Sequence, residues 1–129
     1  MLLDTAYLID LMNGDDEAVE KAREMEQGLV QQRLSAMTLF ELYHGVARMA
    51  DSGTEREKVE NVLASKPAHP ADTAVMRKAG RLSGELGNEG NPIGDGDIII
   101  GATAEILDEP VLTRNESDFE RLGVAVETY

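Results

Sequence analysis

Residues 91–104 read Asn-Pro-Ile-Gly-Asp-Gly-Asp-Ile-Ile-Ile-Gly-Ala-Thr-Ala, and no other segment of the chain constrains the architecture as strongly. Turn-forming residues come first, two carboxylates (Asp95 and Asp97) follow, and an apolar run occupies residues 98–104. An apolar run rich in small residues predicts a helix that is buried on several sides. Carboxylates at the amino end of a helix are stabilised by its free N–H groups and its dipole. The two acids therefore either cap this helix or belong to a functional site.

The whole chain has the size and composition of one domain, which we predict to span residues 1–129. Cysteine is absent, so disulfides and thiolate metal sites are excluded. The two histidines, His44 and His69, lack the spacing of a helical zinc site. No apolar run approaches the roughly 20 residues of a membrane span, and no basic segment precedes the first apolar run. These features predict a cytoplasmic protein without a membrane partner.

The chain is strongly acidic, with 25 Asp and Glu residues against 12 Lys and Arg and a net charge of −13. An acidic surface repels phosphates, so this charge alone argues against a nucleic-acid partner. An acid-rich, lysine-poor composition also fits a halophilic protein from a cytoplasm with molar salt, where the Debye length is about 3 Å. Charge alone does not separate the two interpretations.

Short apolar segments alternate with amphipathic helices along the chain. We predict strands at residues 1–3, 33–36, 111–113 and 124–126, and a connector or short strand at 66–70. We predict helices at residues 6–12, 15–29, 38–49, 54–64, 72–86 and 98–107, and a short helical turn at 114–119. Buried strands that alternate with helices indicate an α/β fold with a parallel sheet covered on both faces.

Four acids follow separate strands or begin separate helices of this predicted fold. Asp4 ends the first strand, and Glu41 lies on the first turn of the helix after the second strand. Asp97 begins the buried helix, and Asp118 follows the strand at 111–113. Ligands of parallel sheets bind outside the carboxyl ends of the strands. We therefore expect the four acids to meet at one edge of the sheet.

Helix capping is a plainer explanation for each acid taken alone. The pairs with capping-box spacing are Thr38 with Glu41 and Asn115 with Asp118, and the candidate N-caps are Asp4 and Asp95. Capping does not require acids from four parts of the chain to converge. Neighbouring carboxylates repel each other, and they stay ionised together only with a cation between them. A ligand set made only of oxygen selects Mg²⁺ or Mn²⁺.

Four segments resemble the four motifs of PIN-domain ribonucleases, and more narrowly those of VapC-type toxins from toxin–antitoxin pairs. They are MLLDTAYLID at residues 1–10, SAMTLFELYHG at 35–45, IGDGDIIIGATA at 93–104 and LTRNESDF at 112–119. The resemblance covers nearly the whole chain. It implies a three-layer α/β/α sandwich with a mainly parallel central sheet. It also implies a Mg²⁺- or Mn²⁺-dependent endoribonuclease whose acids are Asp4, Glu41, Asp97 and Asp118.

In the reaction that this resemblance implies, Asp4 and Asp97 hold the metal, and Glu41 and Asp118 bind it directly or through water. The metal lowers the pKa of a water molecule, which attacks phosphorus in line. By the same resemblance, the products carry a 5′-phosphate and a 3′-hydroxyl. Asp95 adds a carboxylate at a position where the family varies, and it would be a cap, a water-holding group or an auxiliary metal ligand.

Four further residues are candidates for supporting roles at this site. Thr5, Thr113 and Asn115 would orient carboxylates or water, and the alternative for each is an ordinary turn or cap residue. Arg114 would contact an RNA phosphate, and the alternative is a plain surface arginine.

The resemblance also implies a VapB-type antitoxin as partner and a toxin homodimer, together in a toxin–antitoxin hetero-oligomer. An antitoxin helix would need an exposed apolar groove on the toxin. Met12, Met25, Phe40 and Tyr43 are candidates for lining it, because methionine and aromatic side chains suit such surfaces. Burial in the core is the alternative for each of them.

Two other functions fit the same motifs. One is a PIN-domain nuclease that processes RNA without an antitoxin, and the other is a catalytically silent PIN-like binding module. The small size of the chain favours the toxin over the first, and the four intact acids favour an enzyme over the second.

Overall fold

Five short strands form a parallel sheet in the computed structural model, which describes residues 1–129. The strands are β1 (Leu2–Leu3), β2 (Leu34–Ser35), β3 (Ala68–His69), β4 (Val111–Leu112) and β5 (Val126–Glu127). Strand β1 pairs with β4, β4 with β5, and β2 with β3, all in parallel. A parallel bridge between Leu2 and Arg33 joins the two groups, which gives the order β3-β2-β1-β4-β5. The parallel sheet predicted from the sequence is confirmed.

Seven helices surround the sheet, because parallel strands need long connections from one end of the sheet to the other. They are α1 (Thr5–Met12), α2 (Asp16–Gln27), α3 (Ala36–Arg48), α4 (Ser52–Leu63), α5 (Thr73–Leu86), α6 (Asp95–Leu107) and α7 (Glu116–Arg121). None of them combines the length and the apolar character that crossing a bilayer requires.

The two faces of the sheet bury two separate cores. Successive residues of a strand point to opposite faces. Leu2 and Val111 therefore join the core under α5, α6 and α7, whereas Leu3 and Leu112 join the core under α1 to α4. The sheet is thus the middle layer of the predicted α/β/α sandwich, which the structure confirms.

Helix α6 is the most deeply buried helix, as its sequence predicts. Six of its residues are buried, and they are Ile98, Ile100, Gly101, Ala102, Thr103 and Ala104. The helix packs most extensively against α5 and also contacts α3 and α7. Because neighbouring elements hold it on several sides, α6 is a rigid support for the carboxylates of its first turn.

Several predicted boundaries are wrong by one to three residues, among them the start of α6, which lies at Asp95 and not at residue 98. Two of the others have a local reason. Helix α3 begins at Ala36 and not at residue 38, because the Ser35 side chain accepts a hydrogen bond from the Met37 N–H and caps the helix. Helix α2 ends at Gln27, since Leu29 adopts a left-handed conformation with φ of 53°. Strand β5 begins two residues later than predicted, and Val124 lies before it and packs into the core.

Candidate functional site

The carboxyl edge of the sheet gathers acids from four elements. Asp4 directly follows β1, Glu41 lies on the second turn of α3, and Asp97 and Asp118 lie on the first turns of α6 and α7. The negative charges of Asp97 and Glu41 both act on Asp4, and those of Glu41 and Asp118 both act on Asp97. The structure therefore brings together the four acids that the sequence places at this edge.

Asp4 is the most buried of the four, with 4% of its surface exposed. Burial is the main reason that its pKa is raised from 3.8 to about 6. The Thr113 hydroxyl donates a hydrogen bond of 2.7 Å to Asp4 Oδ2, which opposes part of that rise. The charges of Asp97 and Glu41 add to it. Asp4 is thus a buried carboxyl group that the protein alone does not fully stabilise as an anion.

The pKa of Asp97 is also raised, for the same reasons as that of Asp4. Burial raises its pKa first, and the charges of Glu41 and Asp118 raise it further. The Asn115 side-chain amide opposes the rise, because its Nδ2 donates to Asp97 Oδ2 at 3.3 Å. The same Nδ2 donates to Asp118 Oδ2 at 3.0 Å. One amide group therefore spans the carboxylates of two helices.

Glu41 is held by α1 and by a close approach to α6. Thr5 Oγ1 donates to Glu41 Oε1 at 2.7 Å and lies 3.0 Å from the buried Thr38 Oγ1. A Cβ atom on Gly96 would stand 2.9 Å from Glu41 Oε2, which is too close for a normal contact. Gly96 therefore leaves room for the Glu41 carboxylate beside the first turn of α6.

Gly96 has a different physical role from the one that the sequence suggests. Gly94 and Gly96 look like residues that let the backbone turn into the site. Neither has a positive φ, so neither needs the conformational freedom of glycine. Space beside Glu41 is the physical reason at Gly96, and it becomes visible only in three dimensions.

The capping explanations fail for most of these residues. Asp4 occupies the N-cap position of α1, but its side chain makes no capping hydrogen bond. Gly94, and not Asp95, is the N-cap of α6. Because Ser35 caps α3, Thr38 lies inside the helix and the Thr38–Glu41 capping box is wrong. The acids are therefore free for interactions other than capping.

Asp95 stands apart from the four acids. It is exposed and lines a groove between α5 and α6, with Met76 and Ile99 among its neighbours. It makes no hydrogen bond to the site. Its role as an auxiliary metal ligand stays a prediction.

The donor set fits a hard divalent cation. The four acids offer only oxygen ligands, which Mg²⁺ and Mn²⁺ prefer over nitrogen and sulfur. Asp4, Glu41 and Asp97 have no ion pair with any Lys or Arg, and Asp118 has only Arg121, with Nη1 3.8 Å from Oδ1. No three of these acids lie close enough to form a ready-made metal cluster. A cation at this edge would therefore have to draw the carboxylates closer together.

Arg114 points away from this group. Its guanidinium contacts the carboxylates of Asp10, Asp15 and Glu17 and lies 4.4 Å from the ring centroid of Tyr129. The predicted RNA contact of Arg114 stays a prediction. No local sequence pattern predicts the cluster of carboxylates around Arg114. The contact between Thr38 and Thr5 is also not predicted, because the spacing of Thr38 from Glu41 resembles a capping box.

An apolar groove lies next to the site, between α1, α3 and α4. It has a volume of about 270 Å³ and includes Met12, Met49 and Glu41 in its walls. Of the four residues predicted to line such a surface, Met12 does so, and Phe40 and Tyr43 are exposed on α3, at 66% and 40%. For Met25 the alternative, burial in the core, is confirmed, because its side chain is 2% exposed and packs in the core under α1 to α4.

Comparison with known proteins places these features in one family. The model of the PIN domain matches residues 1–125. The tRNA(fMet)-specific endonuclease VapC of Shigella flexneri is 25% identical over 122 residues, which cover 95% of this chain and 91% of that protein. Ribonuclease VapC10 of Mycobacterium tuberculosis is 38% identical over 61 residues, which cover 47% of this chain and 46% of that protein.

Solved structures agree with the sequence comparisons. The DNA-bound VapBC from Salmonella typhimurium superimposes with a TM-score of 0.88 and 25% identity, covering 98% of this chain and 96% of that one. VapBC2 from Rickettsia felis, at 21% identity, shares the fold with a TM-score of 0.89 over 99% and 97% of the two chains. The sheet, the four motifs and the family match lead to one conclusion: this chain belongs to the PIN-domain family and is similar to its VapC members.

Proposed function

We propose that this chain is a Mg²⁺- or Mn²⁺-dependent endoribonuclease and the toxin of a toxin–antitoxin pair. The observation that carries the proposal is that Asp4, Glu41 and Asp97 lie at one edge of the sheet, where their charges act on one another and none has an ion pair with Lys or Arg. Two relatives support the reaction class, since one is named a tRNA(fMet)-specific endonuclease and another a ribonuclease. The reaction is the hydrolysis of an RNA phosphodiester.

Asp4 and Asp97 would hold the cation, with Glu41 and Asp118 binding it directly or through water. A bound Mg²⁺ or Mn²⁺ lowers the pKa of the attacking water and offsets negative charge on the leaving oxygen. Burial is the main cause of the raised pKa values of Asp4 and Asp97, and neighbouring carboxylates add to it. These values support the assignment, because a bound cation would stabilise both side chains as anions.

The neighbouring polar groups fix the directions in which these carboxylates point. Thr113 holds Asp4, and Thr5 holds Glu41, each through a hydrogen bond of 2.7 Å. Asn115 holds Asp97 and Asp118 at a fixed separation. These bonds leave the remaining oxygens of each carboxylate for the cation and for water. Loss of a residue that orients a metal ligand in this way typically lowers metal affinity or activity by about 10- to 100-fold.

The partner would be a VapB-type antitoxin, acting on the toxin in the cytoplasm. The solved relatives are VapBC complexes, which supports a partner of this kind. The groove between α1, α3 and α4 has apolar walls suited to a helix, and Glu41 at its side connects it to the site. Phe40 and Tyr43 on the exposed face of α3 would serve a toxin homodimer.

RNA cleavage with single carboxylate substitutions tests the proposal. Total tRNA and a mixed-sequence single-stranded RNA are incubated with the wild type, Asp4→Asn and Asp97→Asn in Mg²⁺ or Mn²⁺, across a KCl series. Loss of the cation's contribution, several kcal/mol, predicts a fall of about 1,000-fold in the cleavage rate.

Asp108→Asn is the matched control, since Asp108 is exposed at the other end of α6 and should leave cleavage unchanged. Equal cleavage by all four proteins, or none by the wild type under any salt condition, would refute the enzyme and favour a silent binding module. Cleavage without any affinity for a VapB-type protein would favour an RNA-processing nuclease.

A further inference from the structure

We propose that Arg114 is a positioning residue, which locks the loop between β4 and α7 in the conformation that holds the site carboxylates. The proposal rests on the proposed function for its catalytic consequence. The contacts that hold the loop are present in the metal-free protein and do not depend on that function. It replaces the contact with RNA phosphate that the position of Arg114 after a strand suggests.

The two residues that flank Arg114 both donate hydrogen bonds to carboxylates of the site. Thr113 is fully buried, and its Oγ1 donates to Asp4 Oδ2 while accepting a hydrogen bond of 2.9 Å from the Asn115 N–H. Asn115 in turn donates to Asp97 and Asp118. Three of the four acids therefore depend on the path of this short loop. A small rotation of its backbone would move both donors together.

The side chain of Arg114 anchors that loop to α1 and α2. Its Nη2 lies 3.0 Å from Asp15 Oδ1 and 3.6 Å from Glu17 Oε2, and its Nη1 lies 3.4 Å from Asp10 Oδ2. Asp15 is itself fixed, because it caps α2 by accepting a hydrogen bond from the Ala18 N–H. The guanidinium thus reaches three carboxylates of a region about 100 residues earlier in the chain.

The ring of Tyr129 packs against the guanidinium of Arg114. The guanidinium carbon of Arg114 lies 4.4 Å from the centroid of Tyr129, within the range of a cation–π contact. The Tyr129 hydroxyl donates to Asp10, and its ring packs edge-on against the buried Tyr7 at 4.9 Å. Arg114, Asp10 and Tyr129 therefore contact one another in a closed triangle. We call this triangle the Arg114 anchor.

The contacts explain why arginine and not lysine suits this position. A planar guanidinium pairs with several carboxylates and stacks on an aromatic face at the same time, whereas an ammonium is a point charge. A phosphate of RNA would have to displace the acids already bound to Arg114. Single exposed ion pairs contribute little, but a network with a stacked ring restricts the side chain much more. The geometry favours holding the loop over binding RNA.

Kinetics of Arg114→Ala and Arg114→Lys separate the two roles. A positioning residue lost in either variant should lower kcat for single-stranded RNA by about 10- to 100-fold, with KM changed little, because displaced groups slow the chemical step. Arg114→Lys should not rescue kcat. A residue that binds phosphate would instead raise KM in Arg114→Ala and recover in Arg114→Lys, which would overturn the proposal.

A measurement without RNA keeps the proposal independent of the proposed function. The side-chain amide signal of Asn115, identified by its loss in Asn115→Ser, is followed by NMR in the metal-free protein. Arg114→Ala, Arg114→Lys and Asp10→Asn should each shift it and quicken its hydrogen exchange. The effects of Arg114→Ala and Asp10→Asn should not add in the double variant.

Arg56→Ala is the matched control, because Arg56 forms an exposed ion pair with Glu60 on α4, away from the loop. An unchanged Asn115 signal in folded Arg114→Ala and Arg114→Lys would refute the anchor, whether or not the wild type cleaves RNA. Shifted signals in the variants, together with a wild type that never cleaves RNA, would refute only the proposed function.

Discussion

Partly buried carboxylates lie at both ends of the sheet, and they differ in whether a cationic side chain pairs with them. At the amino end, before β4, Glu109 is 15% exposed and its Oε1 accepts a hydrogen bond of 2.6 Å from Arg33 Nε. At the carboxyl end, Asp4 is more deeply buried and has only the neutral Thr113 as a side-chain donor. Arginine therefore pairs with Glu109 at one end of the sheet, whereas Asp4, Glu41 and Asp97 at the other end have no ion pair with Lys or Arg. Negative charge is thus kept where a metal cation would bind.

The largest expected effect of this difference is on stability against pH. The pKa of Asp4 is raised to about 6 in the folded protein from 3.8, so its contribution to stability is fully present below pH 3.8 and is lost as pH rises through about 6. The difference corresponds to about 3 kcal/mol of unfolding free energy. Urea unfolding of the metal-free protein should show this loss in the wild type, and Asp4→Asn should lack it.

The comparison uses the difference between the two proteins at each pH, so that other titrating groups cancel. Asp108→Asn should follow the wild type. Parallel pH profiles for the wild type and Asp4→Asn would mean that Asp4 is stabilised as an anion by the protein alone, which would break the contrast between the two ends.

At the amino end of the sheet, loss of the Arg33–Glu109 ion pair should lower the unfolding free energy. Arg33→Met keeps the apolar part of the side chain but leaves Glu109 with the N-terminal ammonium, 3.2 Å from its Oε2, as its remaining charged donor. We expect a loss of about 1 kcal/mol in unfolding free energy. RNA cleavage at saturating RNA should be unchanged. Arg23→Met is the control, since Arg23 and Glu20 form an exposed pair that should contribute at most about 0.5 kcal/mol. Equal stability losses in the two variants would argue against a special role for the Arg33–Glu109 pair.

A smaller effect is expected where α6 makes room for Glu41. In Gly96→Ala the new methyl group would meet Glu41 Oε2, and the flexible carboxylate would move away. We expect kcat to fall by about 10-fold, since a small misplacement of a reacting group has an effect of this order. Unfolding free energy should hold or rise, because alanine favours a helix more than glycine. Gly80→Ala on α5, where a methyl group meets nothing, is the control, and an equal kcat in both variants would refute this role of Gly96.

The smallest and most general effect concerns the whole surface. If the net charge of −13 reflects a high-salt cytoplasm, screening its self-repulsion should make the protein more stable as KCl rises toward molar concentration. Thermal melts in a KCl series measure this. A maximum of stability far below molar salt would count against the halophilic interpretation and leave the two ends of the sheet as the main electrostatic features.

The sequence predicted the sheet, the buried helix α6 and the four acids because each rests on a local pattern. Alternating apolar segments report strands that are covered on both faces, and turn residues before an apolar run report the start of α6. The position of Asp4 at the end of β1 then follows from topology alone. Convergence of the acids was predictable because parallel strands bring their carboxyl ends together.

Features that depend on distant partners were not predictable. Ser35 and Thr38 are both good caps, and only the hydrogen bond from the Met37 N–H to Ser35 Oγ shows that Ser35 is the one used. Arg114 lies 99 residues from Asp15, and no period in the sequence links them. Gly96 resembles any turn glycine until the Glu41 carboxylate is seen beside it. Contacts of this kind depend on the folded chain and leave no local trace.

The most direct test of a cation site at the carboxyl end is Mn²⁺ binding to the protein without RNA. We predict that Mn²⁺ binds the wild type and Asp108→Asn in calorimetric titration and raises their unfolding free energy, by about 2.7 kcal/mol at 100 times the Kd. Asp97→Asn should bind Mn²⁺ much more weakly and show little stabilisation. Equal Mn²⁺ affinity in Asp97→Asn and the wild type would contradict the account, because the cation would then be held elsewhere.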